Sequence, residues 1–572
     1  MSFLRSSACR NVDSVAKNPS AFINSVWART ADPSCALRHA PDNLVASLFG
    51  TLGAYALYEI LKAVYEELTS PVRSLPGPRS SHWFYGNLKE IFEDEDSGLE
   101  EHWLEKYGRT MKFHRFFGQA QLLTTDTKAI HHFLSNNHIY EKSEATRIGL
   151  GRVVGPGILV VEGDVHKQQN PAFGAPQVRE LTSIFVDTSI QLRDIWVAQA
   201  AQNDGVARVE VLSWLSKATL DIIGLAGFNY RINALGAESH DVPDPLAEAF
   251  DALFTSGTSF SLLRLFQSRV SVLRNIPTKQ DKIMHAAQAT MLRIGRQLLE
   301  ESKREIAANG TFNTGRGRDL LTLLVRANTS KEIPADQRLS DEDVLAQVPT
   351  FLVAGHETSS TAVTWALFAL TQNMAAQMRL REELLAVSTD TPTMDELNSL
   401  PYLECVVKET LRVHAPVTGT SRMAMRDDVV PLGTPVTDIH GTVHESLHIR
   451  KGQRILIPII SLNRDSAIWG PDAMEFIPER WEAGTPVSNT IPGVWGHMMT
   501  FLGGPRSCIG FRFSLVEIKA LLFTLVRALE FELAVPIADM GKKGTAIVQR
   551  PIVLSDPAAG NQLPLLVRPV VR

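Results

Sequence analysis

Cysteine is scarce in this chain: Cys9, Cys35, Cys405 and Cys508 are the only four among 572 residues. Thiols so few and scattered exclude a disulfide framework and a cysteine-built zinc site, and they suit a reducing compartment. No run of five basic residues occurs, and 57 Lys and Arg stand against 62 Asp and Glu, for a net charge of −5. No nucleic-acid partner is expected from that balance. No Gly-x-Gly-x-x-Gly follows a strand-like stretch, so a built-in dinucleotide site is not expected either. Nor is any N-terminal stretch uncharged over a full membrane's thickness. The uncharged run of residues 43–58 reaches about 24 Å as a helix, against about 30 Å of hydrocarbon.

What remains suffices for a large folded body, with 44% hydrophobic and 21% charged residues. Residues 1–42 are polar, with Arg5, Arg10, Lys17, Arg29 and Arg38 against Asp13, Asp32 and Asp42, and read as an N-terminal tail. Residues 43–65 follow as one helical pattern. This helix spans a bilayer if Glu59 and Lys62 sit at the interface; otherwise it lies in the membrane surface or in a core. Residues 66–82 contain Ser70-Pro71-Val72-Arg73-Ser74-Leu75-Pro76-Gly77-Pro78-Arg79, a stiff, non-helical boundary. From residue 83 to 572 there is no internal repeat and no second linker. Helical periodicity dominates, with strand-like pieces at Thr110–Phe116, Gln121–Thr125 and Arg454–Ile460. A mainly α body with small β-sheets is expected.

The most informative stretch is Phe501-Leu502-Gly503-Gly504-Pro505-Arg506-Ser507-Cys508-Ile509-Gly510. Glycine and proline forbid regular structure there, and a helical pattern (Phe511, Leu515, Ile518, Leu522) follows at once. A cysteine at the mouth of a helix is expected to have a lowered pKa, because unpaired N–H groups and the dipole favour the thiolate. Arg506 adds a charge that could face an anionic group, and Gly510 lets the backbone pass close to something flat. Upstream, Ser340-Asp341-Glu342-Asp343 has the form of a capping box and opens a long apolar helix reaching about Gln372. Within that helix lies Ala354-Gly355-His356-Glu357-Thr358-Ser359. Its small residues suggest a groove, and Thr358 can turn its hydroxyl to the carbonyl one turn back. Glu409 and Arg412 share a helical face, and Phe476-Ile477-Pro478-Glu479-Arg480-Trp481 supplies a second arginine.

Taken together, F-x-x-G-x-R-x-C-x-G around Cys508, A-G-x-E-T at 354–358, E-x-x-R at 409–412 and F-x-P-E-R at 476–480 resemble the cytochrome P-450 family. The likeness runs from about Leu75 to near the C-terminus and is closest to fungal, basidiomycete-like microsomal members. It implies the cytochrome P-450 fold preceded by an N-terminal membrane-anchor helix at 43–65. It implies haem b with iron held by the Cys508 thiolate, a ligand that favours O–O cleavage, with Phe501, Arg506 and Gly510 shaping its loop. Thr358 and Glu357 would be the alcohol and acid that guide protons during oxygen activation, while His356 is a packing residue. Glu409, Arg412 and Arg480 would form a buried structural cluster, and Arg422 would pair with a haem propionate. The implied activity is monooxygenation of a small apolar substrate by O2. Electrons would come from an NADPH-dependent flavoprotein reductase or cytochrome b5, at the endoplasmic reticulum membrane with a cytosolic catalytic domain.

One departure stands out. In Gly163-Asp164-Val165-His166-Lys167-Gln168-Gln169-Asn170-Pro171-Ala172-Phe173, His166 fits a haem-edge position. Asn170, however, stands where relatives carry arginine, and about one helical turn is missing. This departure motivates one alternative to the monooxygenase, a haem binder without turnover; a second, a haem protein that rearranges peroxides without external electrons, is opposed by the intact Glu357–Thr358 pair.

Overall fold

The computed structural model describes residues 42–570, except 95–97, 170–173, 237–243, 256–266, 268–276, 310–318, 330–337, 483, 485–489 and 546. The polar tail of residues 1–41 and the Asn170–Phe173 departure thus lie outside the described residues. The chain divides into two compact units, Met1–Thr69 and Ser70–Arg572.

Among the described residues of the first unit, helix α1 spans Asp42–Leu68, longer at both ends than the 43–65 expected. Leu57, Tyr58, Leu61, Tyr65 and Leu68 on it are each more than half exposed. The boundary falls at the start of the proline-rich stretch. From Ser70 onward that stretch belongs to the larger unit. Val72 and Leu75 are buried, and the Pro76 carbonyl accepts the Lys112 N–H at 2.9 Å.

The larger unit is mostly helical. Its helices relevant here are α2 (Thr127–Ser135), α3 (Glu144–Val154), α4 (Gly163–Gln169), α5 (Ala175–Ala201), α6 (Val211–Phe228), α7 (Asp341–Gln372), α8 (Pro401–Val413) and α9 (Phe511–Ala528). Helix α7 begins with the expected capping box: Ser340 Oγ accepts from the Asp343 N–H while the Asp343 carboxylate accepts from the Ser340 N–H. It runs 32 residues through the middle of the body, and its 351–367 segment is buried on nearly every side. Its buried polar side chains find partners inside, as Ser360 and Thr364 do with carbonyls one turn back. Helix α6 packs along it. By length and composition α6 could cross a membrane, but 72% of it is buried, so it is a core helix.

The three expected strand-like pieces are strands of one five-stranded sheet. Its members are β1 (Thr110–His114), β2 (Ala120–Thr124), β3 (Tyr140–Glu141), β5 (Gly419–Ala424) and β8 (Arg454–Pro458), in the order β1-β2-β8-β5-β3. Smaller sheets pair β6 (Asp428–Thr437) with β7 (Val443–Ile449) and β10 (Met540–Gly544) with β11 (Gln549–Val553). A further sheet sets β12 (Pro564–Pro569) between β4 (Ala207–Glu210) and β9 (Leu529–Leu533).

Candidate active site

The Cys508 loop is held by contacts that only glycine permits. A Cβ on Gly503 would lie 1.6 Å from the Pro492 carbonyl oxygen, and Gly504, at φ +69°, would bring one to 2.9 Å from the Leu134 oxygen of α2. The Cys508 N–H donates to the Phe501 oxygen at 2.8 Å, closing the loop just before α9. The Phe501 ring packs edge-on with Trp495, centroids 5.7 Å apart. A Cβ on Gly510, by contrast, would meet nothing within 4 Å. The chain's own atoms do not require glycine there; a group seated against the loop would.

Cys508 presents accessible surface although it lies deep in the body, and this burial pushes its thiol up to about 11 despite the hydrogen bond from the Gly510 N–H. The expectation of a lowered pKa from the helix mouth is therefore corrected: loss of hydration outweighs the dipole. A thiol that is both deep and accessible lines an internal recess, and it ionises there when a cation binds it.

Helix α7 opens toward solvent-accessible space at one strip. Between Phe351 and Leu367 only Ala354, Gly355 and Thr358 are not buried, and Ala354 and Thr358 stand one turn apart on one face. The Thr358 hydroxyl donates to the Ala354 oxygen at 2.7 Å, so its lone pairs are free to accept. Beside Gly355, Ile223 of α6 fills the space: a Cβ would sit 2.8 Å from its Cδ1. That glycine thus serves close helix packing as well as edging the strip. His356 is buried and bonds Ser216 Oγ at 2.7 Å, as a packing residue would.

The structure does not bring Glu357 to the Thr358 face. Glu357 is buried and turned to the β10–β11 side, where its Oε1 lies 3.3 Å from Arg550 Nη2 and accepts from Thr545 Oγ1 at 3.2 Å. A different acid, which the motifs did not signal, lies beside Ser359, the residue after Thr358. Glu517 of α9 is fully buried, and among the described residues Ser359 is the one polar side chain against its carboxyl group. Burial pushes that carboxyl up to about 8. Ser359 Oγ in turn lies 3.2 Å from Ser514 Oγ, tying the residue after Thr358 to the helix that Cys508 leads into.

Glu409, Arg412 and Arg480 meet as one cluster. Glu409 accepts from Arg412 Nε and Nη2, both at 2.8 Å, from Arg480 Nε at 3.4 Å, from Trp481 Nε1 at 2.9 Å and from the Ile477 N–H at 3.0 Å. The cluster reaches the cysteine loop through Thr500, whose hydroxyl donates to the Leu411 oxygen at 2.7 Å.

The basic residues expected at a haem edge are two arginines that carry charge and one histidine that does not. Arg422 of β5 is buried, donates to Thr420 Oγ1 at 2.7 Å and to the Ser421 oxygen at 2.9 Å, and burial lowers it to about 10. Arg506 donates to the Val161 oxygen at 2.9 Å and pairs with Glu162. His166 of α4 is buried, and burial followed by the nearby Lys142 charge lowers it to about 4, so it is neutral near pH 7.

A porphyrin that carries two carboxylates and an iron fits this set: an accessible deep thiol, open space over Gly510, and cations whose charge the protein does not fully balance. The comparisons agree. The family described as Cytochrome P450 matches residues 75–554. The chain is 50% identical to "Cytochrome P450 monooxygenase 205" of Postia placenta over 92% of this chain and 98% of the relative. It is 36% identical to "Cytochrome P450 monooxygenase claQ" of Ampulloclitocybe clavipes over 88% and 94%. Both shares are far beyond what a common fold alone would need, and the chain therefore belongs to the cytochrome P450 family of haem-thiolate monooxygenases, which join O2, an organic substrate and electrons from a redox partner.

Proposed function

We propose that Cys508 is the axial thiolate ligand, and that the recess between it and the Ala354–Thr358 strip is where an apolar substrate is hydroxylated. The carrying observation is the pair of openings: the only non-buried strip on the 351–367 segment of α7, and the accessible thiol before α9. The two helices are joined at Ser359–Ser514. When bound, the haem supplies the dioxygen chemistry; the chain supplies the following. Cys508 gives up its proton to ligate, and the Gly510 N–H bond holds the sulfur. Buried flanks of α7 exclude bulk water. The Thr358 hydroxyl, its own proton committed to Ala354, accepts a hydrogen bond from within the recess. Glu517, neutral at pH 7, keeps a proton beside Ser359, one residue on from Thr358. Glu357, the acid beside Thr358 in sequence, is held on the other side by Arg550 and Thr545. Phe501 fixes the loop, His166 and Arg422 lie on the haem edge, and Glu409, Arg412 and Arg480 hold the proximal side.

Helix α1 supports a single-pass anchor: its 27 residues reach about 40 Å, enough to cross ~30 Å of hydrocarbon with Glu59 and Lys62 toward one interface, and Leu57, Tyr58, Leu61, Tyr65 and Leu68 are exposed. The reading is of an endoplasmic-reticulum enzyme with a cytosolic catalytic unit, fed by an NADPH-dependent flavoprotein reductase or cytochrome b5. It would act in fungal terpenoid or polyketide tailoring or in oxidation of foreign compounds.

The test is a carbon monoxide difference spectrum of reduced membranes, with Cys508→Ala as the control. The expected result is a strongly red-shifted Soret band that the substitution abolishes together with all reductase-dependent product. A band in the variant would remove Cys508 from the iron. Haem that binds and never turns over with a reductase would favour the non-catalytic binder.

A further inference from the structure

Helix α6 sends three side chains onto α7 inside the stretch that carries Thr358. Ile223 packs on Gly355. The Thr219 hydroxyl lies 3.0 Å from the His356 carbonyl oxygen, and Ser216 Oγ lies 2.7 Å from His356 Nε2. Burial, followed by the Arg550 charge, lowers His356 to about 3, so its ring and the Ser216 hydroxyl form a neutral hydrogen bond. The ring and the backbone of one α7 residue are thus both held by α6.

Thr219 has acceptors at home as well. Its hydroxyl lies 3.0 Å from the Leu215 oxygen and 3.3 Å from the Ser216 oxygen, one turn back on α6, where a helical threonine ordinarily bonds. A hydroxyl has a single proton, and here it is shared between its own helix and the neighbouring one. The His356 oxygen can take it because a helical carbonyl keeps a lone pair beyond the one used by the N–H four residues on. Thr219 and His356 are both buried, and a hydrogen bond away from water is the stronger for it.

Helix α6 is itself firmly set. Its Asp221 accepts from the Ala234 and Leu235 N–H groups at 2.7 and 3.0 Å, and Asn229 closes the helix in the left-handed region. His356 lies midway between Ala354 and Thr358, the two residues that the Thr358 hydroxyl joins. Pinning its ring and its carbonyl fixes how α7 is turned about its axis where Thr358 faces the recess. Productive geometry tolerates errors of only about 0.5 Å and 10–20°.

We propose that Thr219, assisted by Ser216, is a positioning residue: its hydroxyl sets the rotation of α7 and so aims the Thr358 hydroxyl into the recess. The inference rests on the haem-thiolate reading and extends it to a residue of α6. The experiment is the infrared C–O stretch of carbon monoxide bound to purified, reduced, full-length holoprotein, a band that shifts with the polar groups around the bound gas. Thr358→Ala is the reference. Thr219→Val keeps the shape, removes the hydroxyl, and is expected to move the band toward its Thr358→Ala position. Thr219→Ser keeps the hydroxyl and stays at the wild-type frequency. Ser216→Ala is expected to shift the band in the same sense by a smaller amount.

A threonine of merely structural value would lower the urea midpoint of Thr219→Val and leave the band in place, and that result would overturn the proposal. If Thr219→Val does not accumulate, Ser216→Ala decides alone: a shifted band supports the hold of α6 on His356, and an unshifted one refutes it. A band indifferent to Thr358→Ala would remove Thr358 from the recess and the proposal with it, while the Soret band still reports separately on Cys508.

Discussion

Glu409→Ala is expected to leave little folded catalytic unit, although Glu409 touches neither the recess nor the thiol. Its carboxylate is fully buried and accepts five hydrogen bonds, two from Arg412, one each from Arg480 and Trp481, and one from the Ile477 backbone. Alanine would strand the Arg412 guanidinium, itself fully buried, with only the carbonyls of Asn463, Ala473 and Glu475 as partners. Breaking such a pair by removing one member costs about 3–5 kcal/mol, a large part of the roughly 5–15 kcal/mol that keeps a protein folded. Arg480→Ala should be milder, because Arg412 keeps its bidentate partner and the lost guanidinium was shared with the more exposed Asp472. The check is the urea midpoint of haem-bound protein. Glu409→Ala should fall furthest, Arg480→Ala less, and Glu409→Met with Arg412→Met together should recover part of the loss. Equal midpoints for Glu409→Ala and wild type would show that the cluster carries no stability.

The same cluster shows what was legible beforehand. Residues whose partners are near in sequence could be read directly. The Ser340–Asp343 capping box, the back-bonded Thr358 hydroxyl and the Glu409–Arg412 pair each span one helical turn, where geometry follows from spacing alone. The loop at Cys508 was legible for the same reason, since glycine and proline restrict backbone locally. What could not be read were contacts set by packing between distant elements. Glu357 and Thr358 are adjacent in sequence, but helix rotation turns one to Arg550 and the other to the recess. Thr219 meets the His356 carbonyl only because α6 packs along α7, and the spacing within either helix says nothing of that contact. The thiol pKa was misjudged because the helix-mouth argument counts dipoles and omits the surrounding body, which supplies the larger effect. Glu517 did leave a trace: it is an acid on α9, a helix buried on nearly every side, where solvated positions are few.

Glu517→Gln is expected to flatten the pH dependence of stability, and the sign follows from where the carboxyl titrates. Unfolded, it titrates near 4.5; folded, burial holds it at about 8. Below 4.5 both states keep the proton, and Glu517 makes no difference. Between 4.5 and 8 only the folded state keeps it, so unfolding releases a proton and stability falls as pH rises; above 8 the loss is complete. A rise of that size corresponds to at most about 5 kcal/mol at about 1.4 kcal/mol per unit, and partial hydration of the site would reduce it. Glutamine cannot ionise and carries a pH-independent cost for its own unpaired amide, about 1–3 kcal/mol. Urea midpoints measured from pH 5 to 8 should therefore show the variant less stable than wild type at the acid end and gaining on it steadily toward pH 8. Other titrating groups are common to both proteins and cancel in the difference. Parallel curves would mean that the folded carboxyl ionises freely, and a carboxylate already ionised at pH 7 could not keep a proton beside Ser359. The stability difference therefore tests for that proton without requiring that the substrate be known.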